Sequence, residues 1–333
     1  MSEAIIHFMR VEYSLLLFFQ IGQLNIIRLQ ASTAEQDDKP VRLGSTASEQ
    51  TKKQTKKQTS EVTMDQVKVI CCDIDGTLVR DDKSLSDENK YWIKKAVEER
   101  NIAFTLVSGR MYNGVHPFYD LLGIKGPISC YNGGTLYNSD GQIVEDHRVP
   151  HDIAMRVLEV QRKFDVPLIL FNDQKWYLRE QDNYVHPKKL KVYQTECIEG
   201  DLEQLLNQFD SNKLLFMSPD NAKLDQIDAT LRNMGMDKDS LTFYRSSDFL
   251  ELMPYGVNKG MAIDALARYF KIPTTQIMAI GDDYNDIDML KRAGYSVAVA
   301  NAVEDAKKVA KYITDTNMND GVAKAIQKFV FGL

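Results

Sequence analysis

An apolar run, Val67-Lys68-Val69-Ile70-Cys71-Cys72, leads into Asp73-Ile74-Asp75-Gly76-Thr77. The run has the character of a strand buried in a sheet, and it delivers two carboxylates at its C-terminal end. In open α/β sheets, ligands bind outside the carboxyl ends of strands. Two aspartates one residue apart, a glycine that lets the chain turn and a hydroxyl make a set suited to a metal ion and a phosphate. A strand that ends in a solvated acidic turn has the same composition, so the reading depends on three later segments.

The chain has 333 residues, room for two domains at roughly 100–200 residues each. Hydrophobic residues make up 44% and charged residues 26%, a balance that can bury a sizeable core. A net charge of −6 and a pI near 5.5 provide no global basic field, so no nucleic-acid partner is expected. The four cysteines, Cys71, Cys72, Cys130 and Cys197, show neither CxxC spacing nor metal-type pairing with the five histidines. Cys71 and Cys72 fall inside the first strand and read as small hydrophobes of a reducing compartment, the cytosol.

Residues 1–64 differ from the rest and read as a disordered or targeting N-terminal extension. Leu15-Leu16-Leu17-Phe18-Phe19 is far shorter than the ~20 apolar residues of a spanning helix, so no stable membrane insertion is expected. Glu3 and Glu12 dilute the positive flank of Arg10, which makes a poor signal peptide. A cytoplasmic protein is the expectation, with organellar targeting by this extension as the alternative. Residues 31–60 are polar and repeat Thr-Lys-Lys-Gln at Thr51-Lys52-Lys53-Gln54 and Thr55-Lys56-Lys57-Gln58. Such a composition cannot bury enough surface to offset chain entropy.

From residue 65 onward, strand and helix signals alternate. Ser86 is placed to cap a helix with Asp87 and Glu88 in its first turn and Ile93, Ala96 and Val97 along its apolar stripe. A strand over 102–107, a helix over 112–122, a strand over 128–131 and a hairpin around Ser139-Asp140-Gly141 follow. Residues 150–253 carry antiparallel signals, with strands at 168–171, 176–178, 213–217, 241–244 and 249–252. Helical periodicity appears there over 153–164 and at Leu224, Ile227, Leu231 and Met234. The α/β pattern then resumes with a helix over 258–270, a strand over 276–280, a helix over 285–292 and short strands at 295–300 and 312–314. The expected fold class is α/β: a Rossmann-like, mostly parallel sheet core over 65–148 and 254–333, interrupted by an inserted α+β module over 149–253.

Ser108-Gly109-Arg110 follows the second strand directly, where a hydroxyl can donate to a phosphoryl oxygen, although serine and glycine also cap ordinary turns. Lys259 opens a helix, where a cation opposes the helix dipole, and Gly260 beside it weakens the first turn. Local rules broken without evident gain point to function. Gly281-Asp282-Asp283-Tyr284-Asn285-Asp286 follows an apolar strand and carries more acid than helix capping needs. If Asp282 or Asp286 lies near Asp73 and Asp75, a divalent cation is the usual relief of their repulsion. All-oxygen ligands with few carboxylates favour Mg²⁺.

These four segments, in this order and setting, resemble the haloacid dehalogenase-like phosphohydrolases. The module between Ser108 and Lys259 resembles the C2-type cap of the Cof-like sugar phosphatase subfamily. Phe249-Leu250-Glu251-Leu252-Met253, Val257-Asn258-Lys259-Gly260 and the terminal Asp320-Gly321-Val322-Ala323-Lys324-Ala325-Ile326 are similar to that subfamily as well. The resemblance spans about residues 67–330. It implies that Asp73 is the nucleophile and becomes an aspartyl phosphate. Asp75 is then the general acid for the leaving alcohol and afterwards the base for water. It further implies that Asp73, the backbone carbonyl of Asp75, and Asp282 hold Mg²⁺. Thr77, Ser108 and Lys259 would bind the phosphoryl group, Asn285 would reach the phosphate or fix the loop, and Asp286 would support this shell. Asp283 departs from the small residue often found at its position.

The implied function is a Mg²⁺-dependent phosphatase of small phosphorylated metabolites, sugar phosphates foremost. A phosphomutase of the same superfamily would use the same aspartates and return the phosphoryl group to its substrate. A phospho-accepting regulatory module or a non-catalytic phosphate-binding protein are the alternatives from other classes. The intact Asp73, Asp75, Lys259 and Asp282 argue against the last. Arg110, Asn132, Arg179 and Arg245 are the candidates for touching substrate, each competing with an ordinary surface or turn role.

Overall fold

Burial on both faces explains the unbroken apolar run ahead of Asp73: in β1, Val69–Cys72, no residue is more than 1% exposed. The computed structural model describes residues 67–185, 195 and 197–333, and the expectations for residues 1–64 lie outside them. The chain continues through β2 (Ala103–Val107), β3 (Ile128–Cys130), β4 (Thr135–Tyr137) and β5 (Ile143–Asp146). Six strands of a second sheet come next. They are β6 (Leu168–Asn172), β7 (Lys175–Leu178), β8 (Cys197–Glu199), β9 (Leu214–Met217), β10 (Leu241–Arg245) and β11 (Phe249–Pro254). β12 (Ile277–Gly281), β13 (Tyr295–Ala298) and β14 (Tyr312–Ile313) then complete the first sheet.

That sheet has the order β14-β13-β12-β1-β2-β3-β4-β5. Neighbours run parallel from β14 to β3, and β4 and β5 add an antiparallel edge. β1 lies between β2 and β12, so the loops after these three strands converge at one end of the sheet. Those loops begin with Asp73, Ser108 and Asp282, which is how residues more than two hundred positions apart come to share a site.

Several helices follow the sequence signals closely. α1 (Asp87–Arg100) is capped by Ser86, whose side chain accepts from the Asn89 N–H. α2 spans Tyr112–Leu122. In the inserted module, α3 (His151–Phe164) and α4 (Asn221–Asn233) cover one face of the second sheet. α5 (Lys259–Phe270) starts the return to the first sheet, with the Asn258 side chain accepting from the Gly260 N–H. The helix expected over 285–292 is split into a 3-10 turn, Tyr284–Asp286, and α6, Ile287–Arg292. The split follows from Asp286, whose carboxylate turns back onto the loop's own N–H groups.

The second sheet, in the order β10-β11-β9-β6-β7-β8, is antiparallel apart from β7 and β8. Its two faces follow the period-two alternation of strands. Leu168, Leu170, Leu214, Phe216, Leu250 and Leu252 pack with α3 and α4. Ile169, Phe171, Leu215, Met217 and Met253 join the apolar cluster of the first sheet. The module is therefore an α+β insertion seated on the parallel sheet by an apolar face. Among the described residues, no helix is long and apolar enough to cross a membrane.

Candidate active site

Lys259 organises the centre. It is 1% exposed, and its Nζ lies 2.5 Å from Asp73 Oδ1 and 2.6 Å from Asp286 Oδ1. The first residue of α5 is therefore a buried cation, which accounts for its unfavourable place on the helix dipole. Two carboxylates hold Lys259 protonated against the opposing effect of burial, Asp286 contributing more than Asp73. The other oxygen of Asp286, Oδ2, accepts the N–H groups of Asp282 and Asp283 at 2.8 and 3.0 Å. Asp286 thus locks the loop after β12 to the lysine and to Asp73.

Asp282 receives the Thr77 hydroxyl, Oγ1 to Oδ1 at 2.5 Å. Gly76, at φ +84°, lets this carboxylate approach, because a Cβ there would overlap Asp282 Oδ2. On the opposite side, Arg110 grips Asp75 with Nε on Oδ2 at 2.9 Å and Nη2 on Oδ1 at 2.7 Å. Lys83 adds a third bond at 2.9 Å. Burial alone would raise the Asp75 carboxyl, but these two cations hold it below the usual carboxylate range. Ser108 is buried, and its Oγ accepts the Arg110 N–H at 3.2 Å. Asn285 Nδ2 donates to Asn132 Oδ1 at 3.2 Å. Gly133 (φ +91°) lets the turn that carries Asn132 pack on the start of α5, since a Cβ would stand 2.6 Å from the Asn258 carbonyl oxygen.

Residues 70–326 match the family model for haloacid dehalogenase-like hydrolases. The chain belongs to the haloacid dehalogenase-like hydrolases. An HMP-PP phosphatase of Serratia proteamaculans is 30% identical over 239 residues, covering 71% of this chain and 85% of that one. A 5-amino-6-(5-phospho-D-ribitylamino)uracil phosphatase of Bacillus subtilis is 28% identical, covering 79% of this chain and 96% of that one. A solved haloacid dehalogenase-like hydrolase from Bacteroides thetaiotaomicron superposes with a TM-score of 0.71 at 29% identity, covering 79% of this chain and 99% of the other. The protein is an enzyme of the phosphoric monoester hydrolase class, with the Cof-like architecture that the sequence resembles.

A cavity of about 420 Å³ opens above these residues in the hydrolase. Asp73, Asp75, Ser108 and Asn285 line it; Thr77, Lys259 and Asp286 are fully buried, and Asp282 is half-buried. Arg110 and Asn132 line it too. Arg179 and Arg245 do not. Arg179 pairs with Asp165 and Asp182, and Arg245 with Asp225. Sequence reasoning did not single out Lys83, Lys213 or Glu251, all of which line the cavity. For the last two a signal existed: each is a lone charge in or beside an otherwise apolar strand.

Charge balance decides whether a metal ion suits the cluster. Asp73, Asp282 and Asp286 can each place an oxygen within 4.8 Å of the others. Burial pushes Asp282 up to about 6; Thr77 opposes this, and Asp286 adds to it. Burial also drives Asp73 upward, Lys259 opposing and Asp286 and Asp282 adding to the rise. Carboxylates displaced this way need positive charge, and a hard divalent ion on oxygen ligands supplies it. Asp286 has both oxygens committed. Asp73 Oδ2 and Asp282 Oδ2 accept no hydrogen bond among the described residues, so these two have an oxygen to offer.

Proposed function

We propose that the hydrolase removes phosphate from small phosphorylated metabolites, sugar phosphates among them, in a Mg²⁺-dependent reaction through an aspartyl phosphate on Asp73. The observation that carries the reading is Asp73 itself: it lines the cavity, Lys259 fixes one of its oxygens at 2.5 Å, and the other is unengaged. In the first step an oxygen of the Asp73 carboxylate attacks phosphorus and the ester P–O bond breaks. The leaving alkoxide takes a proton from Asp75. In the second step water attacks the same phosphorus and Asp75 accepts a water proton. The bond to Asp73 then breaks, which frees phosphate and the carboxylate. Asp75 is clamped by Arg110 in its base form, so its acid role requires Arg110 to let go. The phosphoryl oxygens of an arriving substrate are suitable acceptors for that guanidinium.

Mg²⁺, held by Asp73, Asp282 and the backbone carbonyl of Asp75, would neutralise charge on the transferring group. Ser108 and Asn285 would bind phosphoryl oxygens from the cavity wall. Lys259, Thr77 and Asp286 would act from behind it, by holding Asp73 and Asp282 in place. The catalytic core comprises 65–148 and 254–333, and the cap 149–253. The test is phosphate release from a panel of phosphorylated metabolites, with Mg²⁺ or with EDTA, for the wild type and Asp73→Asn. Release only with Mg²⁺ and only from the wild type is expected. Equal release in EDTA would remove the metal from the mechanism, and isomerised product without free phosphate would mark a phosphomutase.

A further inference from the structure

The face of the second sheet turned toward the first is largely apolar, with Ile169, Phe171, Trp176, Leu178, Leu215, Met217 and Met253 in the cluster of the first sheet. Lys213 and Glu251 interrupt it, and both are buried. Lys213 Nζ lies 3.0 Å from Glu251 Oε1 and donates to the Gly109 carbonyl at 3.0 Å, so the pair is tied to the loop that carries Ser108 and Arg110. The Lys213 ammonium also sits 4.8 Å from the centre of the Phe171 ring. Glu251 is the direct cross-strand partner of Leu215. Both line the cavity, as does Phe249, two residues before Glu251 on the same face of β11. Glu251 Oε2 accepts no hydrogen bond among the described residues.

A buried ion pair in an apolar sheet is weak as a source of stability, because desolvation offsets most of the attraction. Its placement in the cavity wall, with a carboxylate oxygen left over, suits recognition better. We propose that Lys213 and Glu251 are the specificity-determining pair of the hydrolase. They select phosphate esters of neutral alcohols that carry hydroxyl or amine donors, and disfavour substrates with a second anionic group. The inference rests on the phosphatase reading and assigns the far wall of the same cavity. Glu251 Oε2 accepts from a hydroxyl or amine of the leaving group, and Lys213 holds Glu251 in position. Leu215 and Phe249 flank the carboxylate with apolar surface, which suits the carbon face of a sugar or a ring. A second phosphate or carboxylate placed there would meet the Glu251 charge in a poorly solvated wall, a juxtaposition that is costly. The cavity volume of about 420 Å³ suits a leaving group of monosaccharide size.

The experiment compares kcat/KM for paired esters on the full-length protein with Mg²⁺: erythritol phosphate against butyl phosphate, and sorbitol monophosphate against fructose bisphosphate. Para-nitrophenyl phosphate serves as the reference ester. The wild type should prefer the hydroxylated ester of the first pair by about tenfold or more, since a site built to bond a hydroxyl rejects the analogue that lacks it. Glu251→Gln should shrink that preference severalfold and raise the relative rate on fructose bisphosphate. A merely structural role would lower all rates together and leave both ratios unchanged, which would overturn the assignment. Should Glu251→Gln not fold, the wild-type comparison decides: no preference between erythritol and butyl phosphate defeats the proposal. Phosphate release from the reference ester without that preference defeats this proposal alone. No release from any ester defeats the phosphatase reading along with it.

Discussion

Replacing Asp282 by asparagine should stabilise the metal-free hydrolase while abolishing its activity. The Asp282 carboxyl moves from an ordinary 3.8 to about 6 in the fold. Roughly two pH units at ~1.4 kcal/mol each correspond to a penalty on the order of 3 kcal/mol once the group ionises. The sign follows from the direction of the shift. A carboxyl raised in the folded state favours folding most fully below its unfolded value, and that favour is lost as pH rises through about 6. Asparagine carries no charge and escapes the penalty. It keeps an oxygen for the Thr77 hydroxyl, but a neutral acceptor makes the weaker bond, which returns about 1 kcal/mol. The net gain is therefore ~2 kcal/mol near neutral pH and close to nothing below about pH 4. Urea unfolding in EDTA, at about pH 7.5 and again at about pH 4, measures both ends of this window. Mg²⁺ should reverse the order, because only the wild type gains binding free energy, ~2.7 kcal/mol at a hundredfold excess over Kd. A variant no more stable than the wild type at neutral pH in EDTA would refute the reasoning, as would an advantage that persists unchanged in acid.

Two further substitutions probe the neighbours of Asp73. Lys259→Met removes the ammonium between two buried carboxylates and should cost about 3–5 kcal/mol in urea unfolding, with phosphatase activity reduced by about a hundredfold or more. Arg110→Gln releases Asp75 from its strongest partner, so the Asp75 carboxyl of the free enzyme rises and the acid limb of the kcat/KM profile moves to higher pH. An unmoved limb in a variant that still binds substrate would show that Arg110 does not set the ionisation of Asp75.

The parts of the structure legible in the sequence are those that local chemistry specifies. The Ser86 cap, the 3.6 period of α3 and the buried run of β1 each announce their element. Lys259 was legible for the opposite reason: a cation at a helix start makes sense only if something else holds it, and Asp73 and Asp286 do. The cavity wall was harder to read. Lys213 and Glu251 lie 38 positions apart and meet only because β9 pairs with β11 in a particular register. The 3-10 turn at Tyr284–Asp286 escaped the helical pattern because the Asp286 carboxylate folds back onto the N–H groups of its own loop, where Lys259 holds it from a distant segment. The bond of the Thr77 hydroxyl to Asp282 was equally out of reach, since the two lie 205 positions apart.

The most direct test of the central claim is the covalent state of Asp73 during turnover. The Asp75→Asn variant, which lacks the base for the second step, is mixed with Mg²⁺ and para-nitrophenyl phosphate, whose leaving group needs no proton from Asp75, then quenched in acid and digested for peptide mass spectrometry. The account predicts one added HPO₃ on the peptide that contains Asp73, absent when Asp73→Asn is combined with Asp75→Asn. Phosphate released with no such adduct, or an adduct on a different side chain, would contradict it.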